Sequence, residues 1–209
     1  MSGKEPTFKK TLLLPFQTMK KELIDKSEFE AIKKRFEEEE ERRERVLKES
    51  RQLLKLSKQA IYNLHRGEEE KAAAALKRAE EIKERLEKEN KEGSRTGSQS
   101  AALAEYAEAK TFHSFLTTRR IARMNELGVA PEEYLAGLAD LTGEVARRAV
   151  IAATRKEKEE VERIYDLIEE LHGCFTTFDF RNGELRRKYD SIKYALQKVE
   201  QLRYDLSRR

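Results

Sequence analysis

The chain has 209 residues, 40% of them charged and 38% hydrophobic, and Lys+Arg 44 against Asp+Glu 40 leaves a formal net charge of +4. So mild a balance excludes an overall basic field that demands nucleic acid, so any such contact must come from local patches. No run of about 18 apolar residues is present, which excludes a membrane-spanning helix, and the single cysteine, Cys174, excludes an internal disulfide framework and fits a reducing, cytoplasmic setting.

In chain order, residues 1–17 read as a tail or short docking segment ahead of one helical domain over 18–209. Thr11–Leu14 is too short, and is cut off by Pro15, to act as a secretory leader. Ser27 with Glu30 three residues later has the form of a capping box. From there Phe29, Ile32, Phe36, Val46, Leu53, Ile61 and Leu64 trace a single apolar stripe toward His65-Arg66-Gly67. The run Glu37–Arg45 reads as a solvated turn rich in ion pairs. A second helix is predicted over about 68–90, followed by a loop at Lys91–Gln99 rich in Gly, Ser and charge.

A third helix is predicted near 100–126 and a fourth from Pro131 to about 154, proline being suited to a first helical turn. A fifth, near 156–172, turns Val161, Ile164, Ile168 and Leu171 inward and ends at Gly173. Cys174–Phe180 is then an aromatic connection that anchors a loop, with Cys174 expected as a core thiol. The last helix starts at Asn182 and carries Leu185, Tyr189, Ile192, Leu196, Val199 and Leu206 in 4-3 alternation, a seam where helices of the same or another subunit meet. No alternating strand pattern interrupts these segments, so the class is all-α. With so small an apolar share, further burial by oligomerisation is expected.

The chemistry sits on the third and fourth of these helices. Glu105 and Glu108 share an arc of roughly 120° with Ala101, Ala109, Phe112 and Phe115, so both acids lie inside an apolar stripe. Asp140 and Glu144 share a side of the next helix with Gly137, and Gly143 removes another side chain close by. Carboxylates in an apolar face need a compensating cation. Two readings meet that need. Either arginines neutralise them as structural ion pairs, or an all-oxygen set from two neighbouring helices holds a hard divalent ion, Mg²⁺ or Mn²⁺, which can clamp a phosphate oxygen. Arg147 and Arg148 follow Glu144 by one turn, and Arg119 lies on the carboxylate side about 16 Å further along the third helix; these arginines, with His113, are candidates for phosphate contacts. His65 and His172 are expected only to meet helix C-terminal dipoles.

Several segments are similar to the translin superfamily. They are Leu103-Ala-Glu-Tyr-Ala-Glu-Ala109, Phe112-His-Ser-Phe-Leu-Thr-Thr-Arg119, Tyr134-Leu-Ala-Gly-Leu-Ala-Asp-Leu-Thr-Gly-Glu144, Ile61-Tyr-Asn-Leu-His-Arg66 and the run Leu185–Leu206. The likeness spans about 45–209, and Asp140-Leu-Thr-Gly-Glu144 resembles the translin-associated factor X branch more than translin itself. Residues 1–44 do not align with it. The resemblance implies a seven-helix fold, a hollow homo-octamer and a Mg²⁺-dependent endoribonuclease acting on single-stranded RNA. On it, Glu105, Glu108, Asp140 and Glu144 are the catalytic acids, with Glu108 and Glu144 as the principal metal ligands. The competing expectation is a non-catalytic shell that binds single-stranded RNA or DNA. A dimetal oxidoreductase bundle is disfavoured, because no histidine follows Glu105, Glu108, Asp140 or Glu144 by three positions.

Overall fold

The structure, a computed structural model, describes residues 24–89 and 95–208; the tail expected at 1–17 and residues 91–94 of the predicted loop lie outside them. The described residues form α1 (Lys26–His65), α2 (Glu69–Glu89), α3 (Gly97–Thr118), α4 (Met124–Leu127), α5 (Pro131–Thr154), α6 (Lys158–Phe175) and α7 (Glu184–Ser207), with no strand among them. The fold is all-α. None of these helices is long and apolar enough to cross a membrane.

The chain divides into two compact units, Met1–Glu39 and Glu40–Arg209. In the first, Asp25 rather than Ser27 caps α1: its Oδ1 accepts from the Ser27 backbone N–H at 2.9 Å and from the Ser27 hydroxyl at 2.6 Å. There the apolar stripe predicted from Phe29 is not buried, since Phe29, Ile32 and Phe36 are 59%, 42% and 69% exposed. In the second unit burial begins at Val46 and follows Leu53, Leu56, Ala60 and Leu64. Charges of the Glu37–Arg45 run pair as expected of a solvated turn: Lys34 with Glu38 at 3.8 Å, Arg45 with Glu41 at 3.9 Å and with Glu89 at 3.8 Å.

The core of the second unit centres on α3, which is buried on several sides. Ala109, Phe112 and Phe115 join the cluster formed with α5, α6 and α7, while Leu103, Tyr106 and Ala107 join a second cluster with α1 and α2. Such all-round burial explains how a helix so rich in alanine is stable: small side chains let neighbours close in from every direction. α5 starts as predicted, with Pro131 in its first turn, and the buried Glu133 carboxylate accepts from the Ala130 N–H at 2.9 Å while bonding to Arg95.

Three local expectations need correcting. The third helix does not reach 126: it stops at Thr118, and Arg119 turns left-handed at φ 59°. The Thr117 and Thr118 hydroxyls donate to the His113 and Ser114 carbonyls, a back-bonding that weakens a last turn. Gly173 does not end α6, which continues to Phe175 because Phe175 continues the inward stripe of Val161, Ile164, Ile168 and Leu171. Cys174, about 100° round the helix from Phe175, is turned outward and exposed. The aromatic connection behaves as an anchor, Phe180 lying 5.7 Å from the Tyr189 ring on α7 and Phe175 6.0 Å from it. The seam on α7 is satisfied within the chain, with Ile192, Val199 and Leu206 buried in the cluster shared with α5 and α6.

Candidate metal centre

Sequence spacing places each acid pair on one side of a helix; contact between α3 and α5 decides whether the two pairs meet. The contact is made at Gly137. A Cβ there would stand 2.7 Å from the Ala104 carbonyl oxygen, 2.8 Å from the Glu108 nitrogen and 2.9 Å from the Ala107 Cβ, so the two backbones can lie this close only over glycine. One turn further along α5, Asp140 and Glu144 come level with Glu105 and Glu108. All four carboxylates line one cavity of about 570 Å³, together with Gly143, Lys58 from α1, and Ser191, Tyr194 and Lys198 from α7. Gly143 has open space where a Cβ would be. The two glycines thus serve different ends, one closing a helix contact and the other leaving room in a cavity.

The four acids are not equivalent. Glu108 is buried, and burial first, then the charges of Glu105, Asp140 and Glu144, push its carboxyl up to about 9, with Lys188 only partly opposing them. Glu105 is raised by its burial, against the pull of Lys58, whose Nζ lies 3.9 Å from Oε2. Asp140 bonds to the Lys188 ammonium of α7, which also stands 3.8 Å from Glu184. Glu144 is the opposite case. A hydrogen bond from His65, at 2.5 Å, holds its carboxyl below the usual range despite burial, and the charges of His65 and then Arg147 pull in the same direction. With the side chains so engaged, no three or more His, Cys, Asp or Glu among the described residues stand ready to hold an ion. Glu144 is turned to His65 and Asp140 to Lys188.

The predicted phosphate contacts separate. Arg147 stays with the acids through its influence on Glu144. Arg148 instead pairs with Glu160 at 3.3 Å, and Arg163 takes the other oxygen of that carboxylate at 2.6 Å, so it stitches α5 to α6. Arg119, once the helix breaks at Thr118, lines another cavity with Arg120, Tyr134, Leu138 and Asp166. Correcting the continuous-helix expectation takes it off the carboxylate side. His113 is half-buried, and burial together with Lys110 lowers its pKa; it is not among the residues lining the acid cavity. The side chains that the sequence reading missed are Lys58, Lys188, Tyr194 and Lys198. For the three on α7 the signal is a shared face, where 188, 191, 194–195 and 198 recur at helical spacing; Lys58 lies on α1. Nothing in the sequence says that this face meets the acids.

A larger cavity of about 780 Å³ is lined in part by Lys188, whose ammonium bonds to Asp140 of the acid cavity. The lining of the larger one mixes small residues such as Gly97, Ser100, Ala101 and Ala104 with Glu87, Glu132, Glu133 and Glu184; of these acids Glu133 pairs with Arg95, Glu87 with Lys83 and Glu184 with Lys188.

Residues 41–209 match a family model described as the Translin family. Translin of Gallus gallus is 40% identical over 76 residues, covering 36% of this chain and 33% of that protein. An uncharacterised protein of Methanocaldococcus jannaschii is 29% identical over 163 residues, 75% of this chain and 72% of that one. The matches to curated translins span only 33% to 49% of those proteins' lengths. Among solved structures, a complex of AfC3PO with duplex RNA superposes with a TM-score of 0.79 at 25% identity, covering 86% of this chain and 96% of that one.

Proposed function

We propose that this chain, which belongs to the translin family, is a divalent-metal-dependent endoribonuclease of the translin-associated factor X type. It would cut single-stranded RNA inside a hollow homo-octamer. The observation that carries this reading is the meeting of Glu105, Glu108, Asp140 and Glu144 around one cavity in which the most buried of them has no cation of its own. A carboxyl pushed up to about 9 by burial and by three acidic neighbours is a site that a small hard cation relieves, and only oxygen donors face it from the acids.

Glu108 and Glu144 are the residues assigned to hold Mg²⁺ or Mn²⁺, with Glu105 and Asp140 completing the shell or orienting water. When bound, the ion supplies Lewis-acid polarisation of a phosphate oxygen. The chain's own residues do the rest. Lys188 neutralises Asp140 from α7, and would leave an ammonium beside the cavity for a phosphate if Asp140 were to hold the ion. Along α1, Arg51, Lys55, Lys58 and Tyr62 are exposed and recur every three or four positions, with exposed Arg66 in the turn just past its end, which makes one stripe of cations interrupted by an aromatic ring. Lys58 joins that stripe to the cavity. Tyr194, 63% exposed at the cavity rim, offers a face on which an unpaired base can stack, which favours a single strand over a duplex. A cytoplasmic setting suits the exposed Cys174 thiol.

The test is cleavage of end-labelled single-stranded and duplex RNA with Mg²⁺, with Mn²⁺ and with EDTA, beside native mass spectrometry of the assembly. Internal cuts in the single strand that EDTA stops are the expected result; strand binding without cleavage under any metal would end the nuclease reading. The second reading, a non-catalytic RNA-binding shell, has one observation in its favour: Asp140 and Glu144 already have partners in Lys188 and His65.

The arginines supply a separate expectation. Arg147→Ala should weaken RNA binding roughly equally for all sequences and lower the slope of log affinity against log salt by about one. Arg148→Ala should instead loosen α5 from α6 and lower the melting temperature while leaving that slope alone. Fluorescence anisotropy between low and moderate salt distinguishes the two, and equal slopes for Arg147→Ala and the unmodified chain would remove Arg147 from the strand contacts.

A further inference from the structure

His65 closes α1 with its side chain only 4% exposed. Its Nε2 lies 2.5 Å from Oε2 of Glu144, a residue 79 positions away on α5. Its ring stands 5.1 Å from that of Phe112 on α3, so three helices meet around it. Nδ1 is buried and has no hydrogen-bond partner. That unpartnered atom identifies the tautomer. A proton on Nδ1 would be a donor sealed from water with nothing to receive it, a loss larger than leaving a lone pair unused. The Nε2 side therefore carries the proton that Glu144 accepts.

We propose that His65 is a positioning residue of the carboxylate centre: its Nε2–H engages Oε2 of Glu144, fixes the plane of that carboxylate and leaves Oε1 as the oxygen offered to a divalent ion. The inference rests on the metal-dependent reading above. Its physical content lies in the kind of partner. Lys188 and Lys58 hold Asp140 and Glu105 by charge, so each competes with an incoming cation. His65 instead holds Glu144 through one directed hydrogen bond to Oε2, from a ring sealed where three helices meet. Packing against Phe112 removes the freedom of the imidazole, whereas a lysine stem must be ordered each time. A carboxylate with one oxygen held is also restricted to binding through the other, which suits the octahedral shell of Mg²⁺ better than chelation does. Outer partners of this sort orient a ligand and raise its affinity for the ion.

The experiment measures Mn²⁺ binding by calorimetry on the full chain without RNA, with melting temperatures taken on the same samples. His65→Leu removes the donor and is expected to weaken Mn²⁺ binding about 10- to 100-fold. His65→Gln keeps an N–H donor and should recover affinity. In a Glu144→Gln background, His65→Leu should add no further loss, because the residue acts through Glu144. Should His65→Leu fail to fold, His65→Asn, polar but too short to reach Oε2, takes its place. Unchanged Mn²⁺ affinity in the donor-less variant, whatever its melting temperature, overturns the proposal, as does a full further loss in the Glu144→Gln background. Failure of the unmodified chain to bind Mn²⁺ overturns the metal reading and this inference with it, so the two failures appear in different samples.

Discussion

Glu108→Gln is expected to lower RNA cleavage by about a thousandfold, equivalent to roughly 4 kcal/mol of transition-state stabilisation, and at the same time to make the ion-free protein more stable. Both effects come from one cause. The Glu108 carboxyl is pushed from 4.5 up to about 9 by its burial and by the charges of Glu105, Asp140 and Glu144. A pKa raised on folding means that the native chain holds a proton the unfolded chain releases. Stability from this group is therefore complete below about 4.5 and is lost progressively as pH climbs toward 9. At pH 7 the loss is on the order of 3 kcal/mol. A neutral amide of the same shape does not titrate, so the variant should recover part of that loss and melt several degrees higher at pH 7 and above, with little difference at pH 4. The same linkage makes Mn²⁺ compete with a proton, so affinity for the ion should rise with pH up to about 9. Melts at several pH values and a cleavage assay check the pair of effects. A Gln variant that both melts lower and still cuts RNA would remove Glu108 from the centre.

Gly137→Ala is the second large effect. The new methyl would meet the Ala104 carbonyl at 2.7 Å and the Glu108 nitrogen at 2.8 Å, both backbone atoms that cannot swing aside as a side chain can. The helices must part, at a cost of about 1–3 kcal/mol for overpacking, set against the better helix propensity of alanine. Parting α3 from α5 also draws Glu105 and Glu108 away from Asp140 and Glu144. A misplacement approaching 1 Å is expected to reduce cleavage about a hundredfold. Gly143→Ala provides the comparison on the same helix: nothing stands within 4 Å of its added Cβ, so stability should rise by about 0.5–1 kcal/mol. Thermal melts of the two variants should move in opposite directions. A Gly137→Ala protein as stable and as active as the unmodified chain would mean that this crossing does not set the centre.

Much of the local structure was legible because its causes are local. Pro131 opens α5, and the apolar period of Val161, Ile164, Ile168 and Leu171 gives α6. Where a local rule failed, a neighbouring residue outweighed it: Phe175 carried α6 past Gly173, and Arg119 took a left-handed turn where periodicity ran on. The stripe through Phe29, Ile32 and Phe36 shows the limit of periodicity, which marks a face as apolar without saying whether anything covers it.

The sequence by itself determined that the chain is helical, that its acids come in two pairs each on one face of a helix, and that these faces are otherwise apolar. Those properties depend on residues within two turns of one another. Only the tertiary structure decided that the pairs meet, because that turns on one glycine contact between α3 and α5. It alone chose the partners as well: Lys188 reaches Asp140 across 48 positions and His65 reaches Glu144 across 79. It assigned Arg148 to Glu160 and Arg119 to a different cavity. Any of several cations could have reached each acid, and helix spacing is silent among them; packing fixes which arrives.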